Sequence, residues 1–428
     1  MSVFMLLKKI FNNKIIRGAY LAWFAGALFY FYQYILRISP GIMVDQLTRE
    51  FNLRAEEFAT LGALGLFAYS ICQIPLGIIV DKIGVKRTVL VSILLCITGS
   101  YLFAVAQDFW VAQLSRVFIG IGSGSAFMCA LKIVADHFPP GKRAFLMGAT
   151  LTLGTVGALV SGKTIIYVME SSSWRHVLLN STLLGGAIFI IALIFINKNK
   201  ESHHTKLNKH PLPIVLKNII KIMKDRNILI YAILAIGLYT PLSVFTDLWG
   251  ISFLKQKFNL SQSSATYIAL MMYAGLSVGS LVLPWLSEKY NILNISIFSC
   301  GFIILIIFSY LLYGAPISEY SLSVLLVALG FFCGAEMMCF TGALQFSKQE
   351  NSGEIIGVVN TLNMLGSAIL QQLIGTLLDL QWDQTYNSYG NRQYTATQFI
   401  NALSVLTGVL IFCCIISFSL KKIKVTRF

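Results

Sequence analysis

The segment PLGIIVDKIGVKR, Pro75 to Arg87, joins two long apolar runs. Glycine at position 84 permits a sharp chain reversal, because it has no Cβ to restrict its backbone. Basic residues beside apolar runs hold a loop on the cytoplasmic side of a membrane. The charged residues that flank the glycine are Asp81, Lys82, Lys86 and Arg87. The segment therefore predicts a tight cytoplasmic connection between two membrane-spanning helices.

The composition of the whole chain agrees with this reading. Of its 428 residues 56% are hydrophobic and only 12% are charged, whereas a soluble domain has about 25% charged residues. Uncharged runs of about 20 residues recur, the length that crosses the hydrocarbon core as a helix. These runs show no dyad alternation, so they predict helices rather than a barrel. We expect an all-α integral membrane protein with about twelve transmembrane helices.

The basic charge indicates orientation rather than nucleic-acid binding. The formal net charge is +15, and most of the Lys and Arg residues fall in the two tails and in alternate loops. By the positive-inside rule both termini are expected in the cytoplasm, which requires an even number of spans. The predicted location is the inner (plasma) membrane of a bacterial-type cell, as a multi-pass protein.

Cysteine and histidine show no pattern that would bind a cofactor. The eight cysteines all fall inside predicted helices, without zinc spacing or a loop framework. The histidines lie outside the predicted spans and lack suitably spaced partners. We therefore predict no metal and no cofactor, and a membrane-embedded enzyme becomes an unfavoured alternative. A membrane sensor is equally unfavoured, since no sizeable extramembrane domain is evident.

One long polar break divides the chain near its middle. It predicts an N-terminal six-helix bundle over residues 1–196, a cytoplasmic linker over 197–226 and a C-terminal six-helix bundle over 227–428. Within the linker, apolar residues at helical spacing oppose lysines, which is typical of an amphipathic helix on a membrane surface. The segment 49–84 also aligns without gaps on 256–291, with Phe-Asn-Leu before each apolar run. The halves are therefore predicted to be parallel repeats, an arrangement that forms a site at their interface.

The motifs resemble those of the major facilitator superfamily over almost the whole chain. The segment Gly77–Arg87 has the form of that family's connection between helices 2 and 3. LSRVFIGIGSG (Leu114–Gly124) is similar to its helix 4 motif, and FPPGKRAFLMG (Phe138–Gly148) to its helix 4–5 connection. Helix 5, GATLTLGTVGALVSG, lacks the Gly-Pro pair of drug–proton antiporters. The resemblance implies a twelve-helix secondary transporter, expected as a monomer, whose halves rock about a central site.

Charged residues inside the spans are candidates for that site, because each costs about 2.5–3.5 kcal/mol at a helix centre. In YFYQYILR, the side chains of Tyr30, Gln33, Tyr34 and Arg37 recur at steps of three and four on helix 1. This resembles the Tyr-x-x-Arg of organic-anion members of the family. A guanidinium binds two oxygens of a carboxylate or phosphate at once. The alternative is that Arg37 extends to the outer membrane interface.

Coupling and gating residues follow from position and resemblance. Glu336 lies far from the nearest charges on helix 10, so it is a candidate to carry a coupling proton; a buried acid that only fixes that helix is the alternative. The resemblance implies proton handling for Arg116 as well. Asp247 has three interpretations from its position: an interface anchor, a gate pair or a ligand contact. The predicted gating residues are Gly77, Asp81, Lys82, Gly84, Lys86, Arg87 and their counterpart Glu288. Among them, Gly77 is expected to let another helix approach closely, and Asp81 to face the N-terminus of a neighbouring helix or an arginine.

Together these features predict a secondary active transporter in the lipid bilayer. The favoured cargo is a small organic anion or an amphoteric metabolite, because cations lie in one half and acids in the other. Transport is expected to be coupled to protons. An exporter of a hydrophobic or siderophore-like compound is the alternative within the same fold.

Overall fold

The computed structural model describes residues 14–196, 218–346, 352–386 and 390–420. Most of the predicted linker, including its amphipathic segment up to residue 217, therefore lies outside the described residues, as do both chain ends. A few side chains within helices are also outside the description, among them that of Asp81. The described residues form helices joined by turns and loops, with one isolated bridge between Tyr386 and Arg392.

The described residues form twelve long helices, as predicted for an all-α membrane protein. Eleven of them are long and apolar enough to cross a membrane. The remaining helix, the first, spans 29 residues and packs within the bundle, but its tyrosines and Gln33 lower its mean hydropathy. The N-terminal half comprises α1 (Lys14–Ile42), α2 (Ala55–Ile83), α3 (Val85–Ala104), α4 (Phe109–His137), α5 (Pro140–Ser171) and α6 (Trp174–Phe195). The C-terminal half comprises α7 (Arg226–Phe258), α8 (Gln262–Tyr290), α9 (Leu293–Tyr313), α10 (Glu319–Leu344), α11 (Ser352–Leu380) and α12 (Ala396–Ser417).

The connections lie at two opposite faces of the bundle. A short helix, Val44–Phe51, follows α1, and the face that carries it is called the first-loop face. There Arg175 at the start of α6 bonds to Glu50 and to the carbonyl of Ala106. The opposite face carries the turn at Gly84 and is called the terminal face. There Lys86 at the start of α3 donates to the carbonyl of Leu193 near the end of α6, at 2.6 Å. Successive helices thus run in alternate directions.

The local sequence explains where several helices begin and end. Asn52 and Asn259, which align in the repeat, both adopt left-handed backbone angles (φ 50° and 54°). Each is followed by a helix of 29 residues, α2 or α8. The aligned positions at the ends of these helices, Gly84 and Asn291, again have positive φ (84° and 53°). Asn and Gly are the residues that adopt this conformation at least cost, so the repeat extends to backbone geometry.

Three spans are interrupted. α4 breaks at Gly124 and Ser125, and α10 breaks at Gly334 and Ala335. In α7 the segment Pro241–Trp249 is a π-helix whose residues are all buried. Proline lacks the amide that an α-helix needs at that point, and π segments often occur at functional sites.

The orientation of the bundle in the membrane remains a prediction that labelling will test. With single cysteines introduced at Asn52, Gln107 or Gln384, we expect a membrane-impermeant maleimide added outside the cell to react, because these residues belong to the first-loop face. Cysteines at Ile83 or Glu288 are expected to react only after the membrane is opened. The unaltered chain is the control, since its described cysteines are buried or half-buried. External labelling at Ile83 would contradict the predicted topology.

Candidate functional site

A cavity lies between the two halves. It encloses about 450 Å³ of space, counting the part open to solvent. Its lining combines small or apolar residues from α2, α4 and α7 with polar side chains from both halves. The polar side chains are Gln33, Arg37, Tyr69, Arg116, Ser123, Asp247 and Gln371.

Arg37 occupies the boundary between the halves. Its Nε donates to Oδ2 of Asp247 at 2.7 Å, and the two side chains are only 9% and 3% exposed. The hydroxyl of Tyr273 donates to the other carboxylate oxygen of Asp247. The Nη2 atom of Arg37 is buried and has no hydrogen-bond partner among the described residues. One edge of the guanidinium is therefore occupied by a carboxylate, while a neighbouring donor is unused.

Tyrosines surround this ion pair. The Cζ atom of Arg37 lies 5.5 Å from the ring centre of Tyr239 and 5.9 Å from that of Tyr34. These distances are within the range of cation–π attraction. Tyr30 donates to the hydroxyl of Tyr34 at 3.3 Å. The rings and Asp247 thus enclose the guanidinium within the protein.

The backbone of α1 permits this contact. Gly41 lies one turn after Arg37, and a Cβ at this position would collide with the carbonyl oxygen of Asp247. Only glycine allows α1 to approach the π-helical segment of α7 so closely. The close approach of the two helices therefore brings Arg37 and Asp247 within bonding distance.

Gln371 of α11 places an acceptor beside the cavity. Its Nε2 donates to the carbonyl of Ser243 at 2.6 Å, which fixes the amide orientation. Its Oε1 is buried and has no partner among the described residues. Across the cavity, Gln33 is 5% exposed.

Arg116 joins two helices of its own half. Its Nε donates to the carbonyl of Leu61 at 2.7 Å, and its Nη1 to the carbonyl of Leu36 at 2.9 Å. The guanidinium thus holds α1 and α2 together and lines the cavity. It adds a second positive charge to the one on Arg37.

Glu336 is 3% exposed and begins the second part of α10. Its Oε1 accepts from Nδ2 of Asn363 on α11 at 2.5 Å. The Oδ1 atom of Asn363 is buried without a partner among the described residues. Glu336 is not part of the cavity lining. Its contact with Asn363 lies between α10 and α11, within the C-terminal half.

The predicted gating residues lie at the terminal face, away from the cavity. Gly84 makes the turn, and Lys86 bonds to α6, whereas Lys82, Arg87 and Glu288 are exposed. The expected reason for Gly77, a close helix approach, is not seen: a Cβ there would lie 3.7 Å from Sδ of Met128, an ordinary contact distance. The predicted contact of Asp81 lies outside the described side chains.

Several residues of the site were missed by the sequence reasoning. The sequence marks Asp247 as a charge within a span, but it does not identify Arg37 as the partner. Tyr273, Gln371 and Asn363 carry no distinguishing signal within apolar helices. A partial signal exists for α10: a shift of 210 residues brings Gly330, Gly334 and Cys339 onto glycines and a cysteine of α4, so Glu336 follows the counterpart of the α4 break.

Comparison with known proteins agrees with the fold. The Major Facilitator Superfamily profile matches residues 10–370. The gentisate transporter of Corynebacterium glutamicum is 22% identical over 357 residues (81% of this chain, 78% of that protein). The hexuronate transporter of Bacillus subtilis is 23% identical (83% and 86%), and a quinolone resistance protein of Staphylococcus aureus is 23% identical (82% and 89%). A bacterial homologue of the human lysosomal transporter Spinster superposes with a TM-score of 0.72 at 14% identity (94% and 97%). The chain therefore belongs to the major facilitator superfamily and is a multi-pass membrane transporter, not an enzyme.

Proposed function

We propose that this chain is a secondary active transporter of a small organic anion, working by alternating access in the inner membrane and coupled to protons. One observation carries the proposal. The guanidinium of Arg37 lines the cavity between the halves, binds one carboxylate and keeps an unused donor.

The chemistry of Arg37 favours a carboxylate substrate. A guanidinium presents its donors in a planar fork that matches the two oxygens of a carboxylate. Asp247 already accepts one bond from Nε of this fork, through Oδ2. A substrate carboxylate can use the unpaired Nη2 or replace Asp247 altogether. Arg116 adds positive potential to the same cavity, which favours an anion over a neutral molecule.

The acceptor on Gln371 narrows the class further. A buried oxygen without a donor costs about 1–3 kcal/mol, and a ligand that brings a donor removes this cost. A hydroxyl or ammonium group near the carboxylate supplies such a donor. The site thus favours hydroxylated or amphoteric carboxylates over simple fatty acids. Two of the relatives are by name transporters of organic anions, gentisate and hexuronate.

Glu336 and Asn363 support the proposed proton coupling. As a carboxylate, Glu336 accepts from Asn363 Nδ2 and leaves Asn363 Oδ1 without a donor. A protonated Glu336 has a hydroxyl, the kind of group that this oxygen lacks. The side-chain amide of Asn363 can therefore bond to Glu336 in either protonation state: Nδ2 donates to the carboxylate, and Oδ1 can accept from the protonated acid. Arg116 contributes to the proposed coupling through its positive charge. Its hydrogen bonds to the carbonyls of Leu36 and Leu61 keep α1 and α2 in place.

Export of a hydrophobic compound is the second candidate, favoured by the similarity to a quinolone resistance protein. The two arginines and Asp247 in the cavity argue against it, since an apolar cargo would remove water from these charges and offer no acceptor to Nη2 of Arg37, which has no partner among the described residues.

Ligand-dependent stabilisation will test the proposal. The purified transporter is heated with simple, hydroxylated and amino-substituted carboxylates, and with the neutral amides of the same acids as controls. We expect at least one hydroxylated or amphoteric acid to raise the melting temperature, because a ligand that binds only the folded state stabilises it. The amides are expected to have no effect. Stabilisation by neutral apolar compounds alone would support the exporter instead.

A further inference from the structure

Asp379, at the end of α11, binds the beginning of a helix in the other half. Its Oδ1 accepts from the backbone amide of Ala55 at 3.3 Å, and its Oδ2 from that of Glu56 at 2.8 Å. These are the first two residues of α2. The contact lies on the first-loop face, 324 residues apart along the chain.

The physical basis is helix capping. The first amides of a helix have no acceptor within it, and the helix dipole makes this end positive. Acceptor side chains at this end are normally supplied by the residue just before the helix. At α2 that residue is Arg54, whose side chain bonds to Glu57 in its own half. The carboxylate that binds the amides of Ala55 and Glu56 instead comes from the C-terminal half.

Asp379 is held in this position by its own half. Arg392 donates to Oδ1 at 3.2 Å and Tyr394 donates to the same oxygen at 2.5 Å. The hydroxyl of Tyr394 also accepts from the amide of Ala55 at 3.1 Å. Asp379 is thus oriented before it meets α2, so little conformational entropy remains to be lost on contact.

The two helices touch closely beside this cap. A Cβ at Gly375, one turn before Asp379, would lie 2.8 Å from the carbonyl oxygen of Ala55 and from the Cβ of Ala59. Gln372 donates to the carbonyl of Glu56 at 3.1 Å. These contacts exist only while α2 and α11 are together at this face, and they separate if the halves part there.

We propose that Asp379 is a positioning residue of the transport cycle: it stabilises the state in which the first-loop face is closed, by capping α2 from the opposite half. The cap must break each time this face opens. The inference rests on the alternating access proposed above, but not on the identity of the cargo. An ion pair between the halves at this face, Asp45 with Lys255, is more exposed, with Asp45 at 61%, and exposed pairs contribute little to stability.

Amide hydrogen exchange of the full-length protein in lipid nanodiscs will test this. Asp379→Asn keeps the side-chain size but removes the charge. We expect exchange to rise about five- to tenfold in two peptides that do not touch Asp379, covering Val44–Phe51 and Gly250–Phe258, because exchange follows the population of the open state. Tyr394→Phe is expected to raise exchange in the same two peptides by a smaller factor. It replaces Asp379→Asn as the test variant if Asp379→Asn does not fold.

Glu57→Gln is the matched control, because Glu57 bonds to the amide of Arg54 at the same helix end but within one half. It should leave both distant peptides unchanged. A rise confined to residues 55 and 56, or an equal rise in Glu57→Gln, would overturn the proposal by showing a local cap only. Since no substrate is added, the result is independent of whether the carboxylate proposal holds.

Discussion

Replacement of Arg37 by glutamine is expected to reduce uptake of the native substrate by about thirtyfold or more, since removing one partner of a buried charge pair costs about 2–5 kcal/mol and each 1.4 kcal/mol is a factor of about ten. The variant leaves Asp247 buried without its cation and removes the donors proposed for the substrate. Arg37→Lys should fall between this variant and the natural chain, because it keeps the charge but loses the planar fork. Initial uptake rates and substrate affinity in proteoliposomes measure both effects.

A double variant separates the two roles of Arg37. Combining Arg37→Gln with Asp247→Asn removes both charges and leaves two neutral side chains that can bond to each other. If Arg37 only neutralises Asp247, transport should return in the double variant. We expect it not to return, because the substrate still lacks its guanidinium. Asp247→Asn alone is expected to bind substrate at least as well as the natural chain. Normal transport by Arg37→Gln would refute the role of Arg37 in anion binding.

Replacement of Glu336 by glutamine is expected to abolish accumulation driven by a proton gradient while exchange of substrate across the membrane continues. Glutamine mimics the protonated acid, and it can both accept from Asn363 Nδ2 and donate to Asn363 Oδ1. The variant should therefore fold normally, and its side chain at position 336 stays neutral, as in the protonated acid. Uptake into proteoliposomes with and without an imposed pH gradient measures accumulation, and counterflow with preloaded substrate measures exchange.

Glu319→Gln is the control for this experiment. Glu319 begins the same helix but is exposed, so its replacement should leave both measurements unchanged. Undiminished gradient-driven accumulation in Glu336→Gln would exclude Glu336 from coupling and leave it as a buried acid that fixes α10. Loss of exchange together with accumulation would show that the side chain is needed for the conformational cycle itself.

In the predicted gating segment, Asp81 lies at the end of one helix and is expected to face the N-terminus of a neighbouring helix. That arrangement is observed at Asp379 and α2, on the opposite face of the bundle. No sequence pattern marks Asp379, because its partners in the other half are backbone amides, and any residue except proline can supply them.

Much of the fold was determined by the sequence alone. Long uncharged runs, the polar break and the repeat of 49–84 on 256–291 predict twelve helices in two related halves, because burying apolar surface in lipid and satisfying the backbone leave few other solutions. The left-handed turns at Asn52 and Asn259 follow from the same local residues. Arg37 could be singled out, since a charge inside a span is costly and therefore informative.

Only the tertiary structure decided which of these residues meet. The pairing of Arg37 with Asp247 depends on a close approach at Gly41 and on a π-helical segment in α7. The unpaired atoms of Arg37, Gln371 and Asn363 become visible only when every neighbour is in place. Hydrogen bonds and ion pairs act over a few ångströms, and hydrophobic periodicity specifies which face of a helix is buried but not which side chain lies opposite. The site therefore arises from contacts between the halves that neither half's sequence specifies by itself.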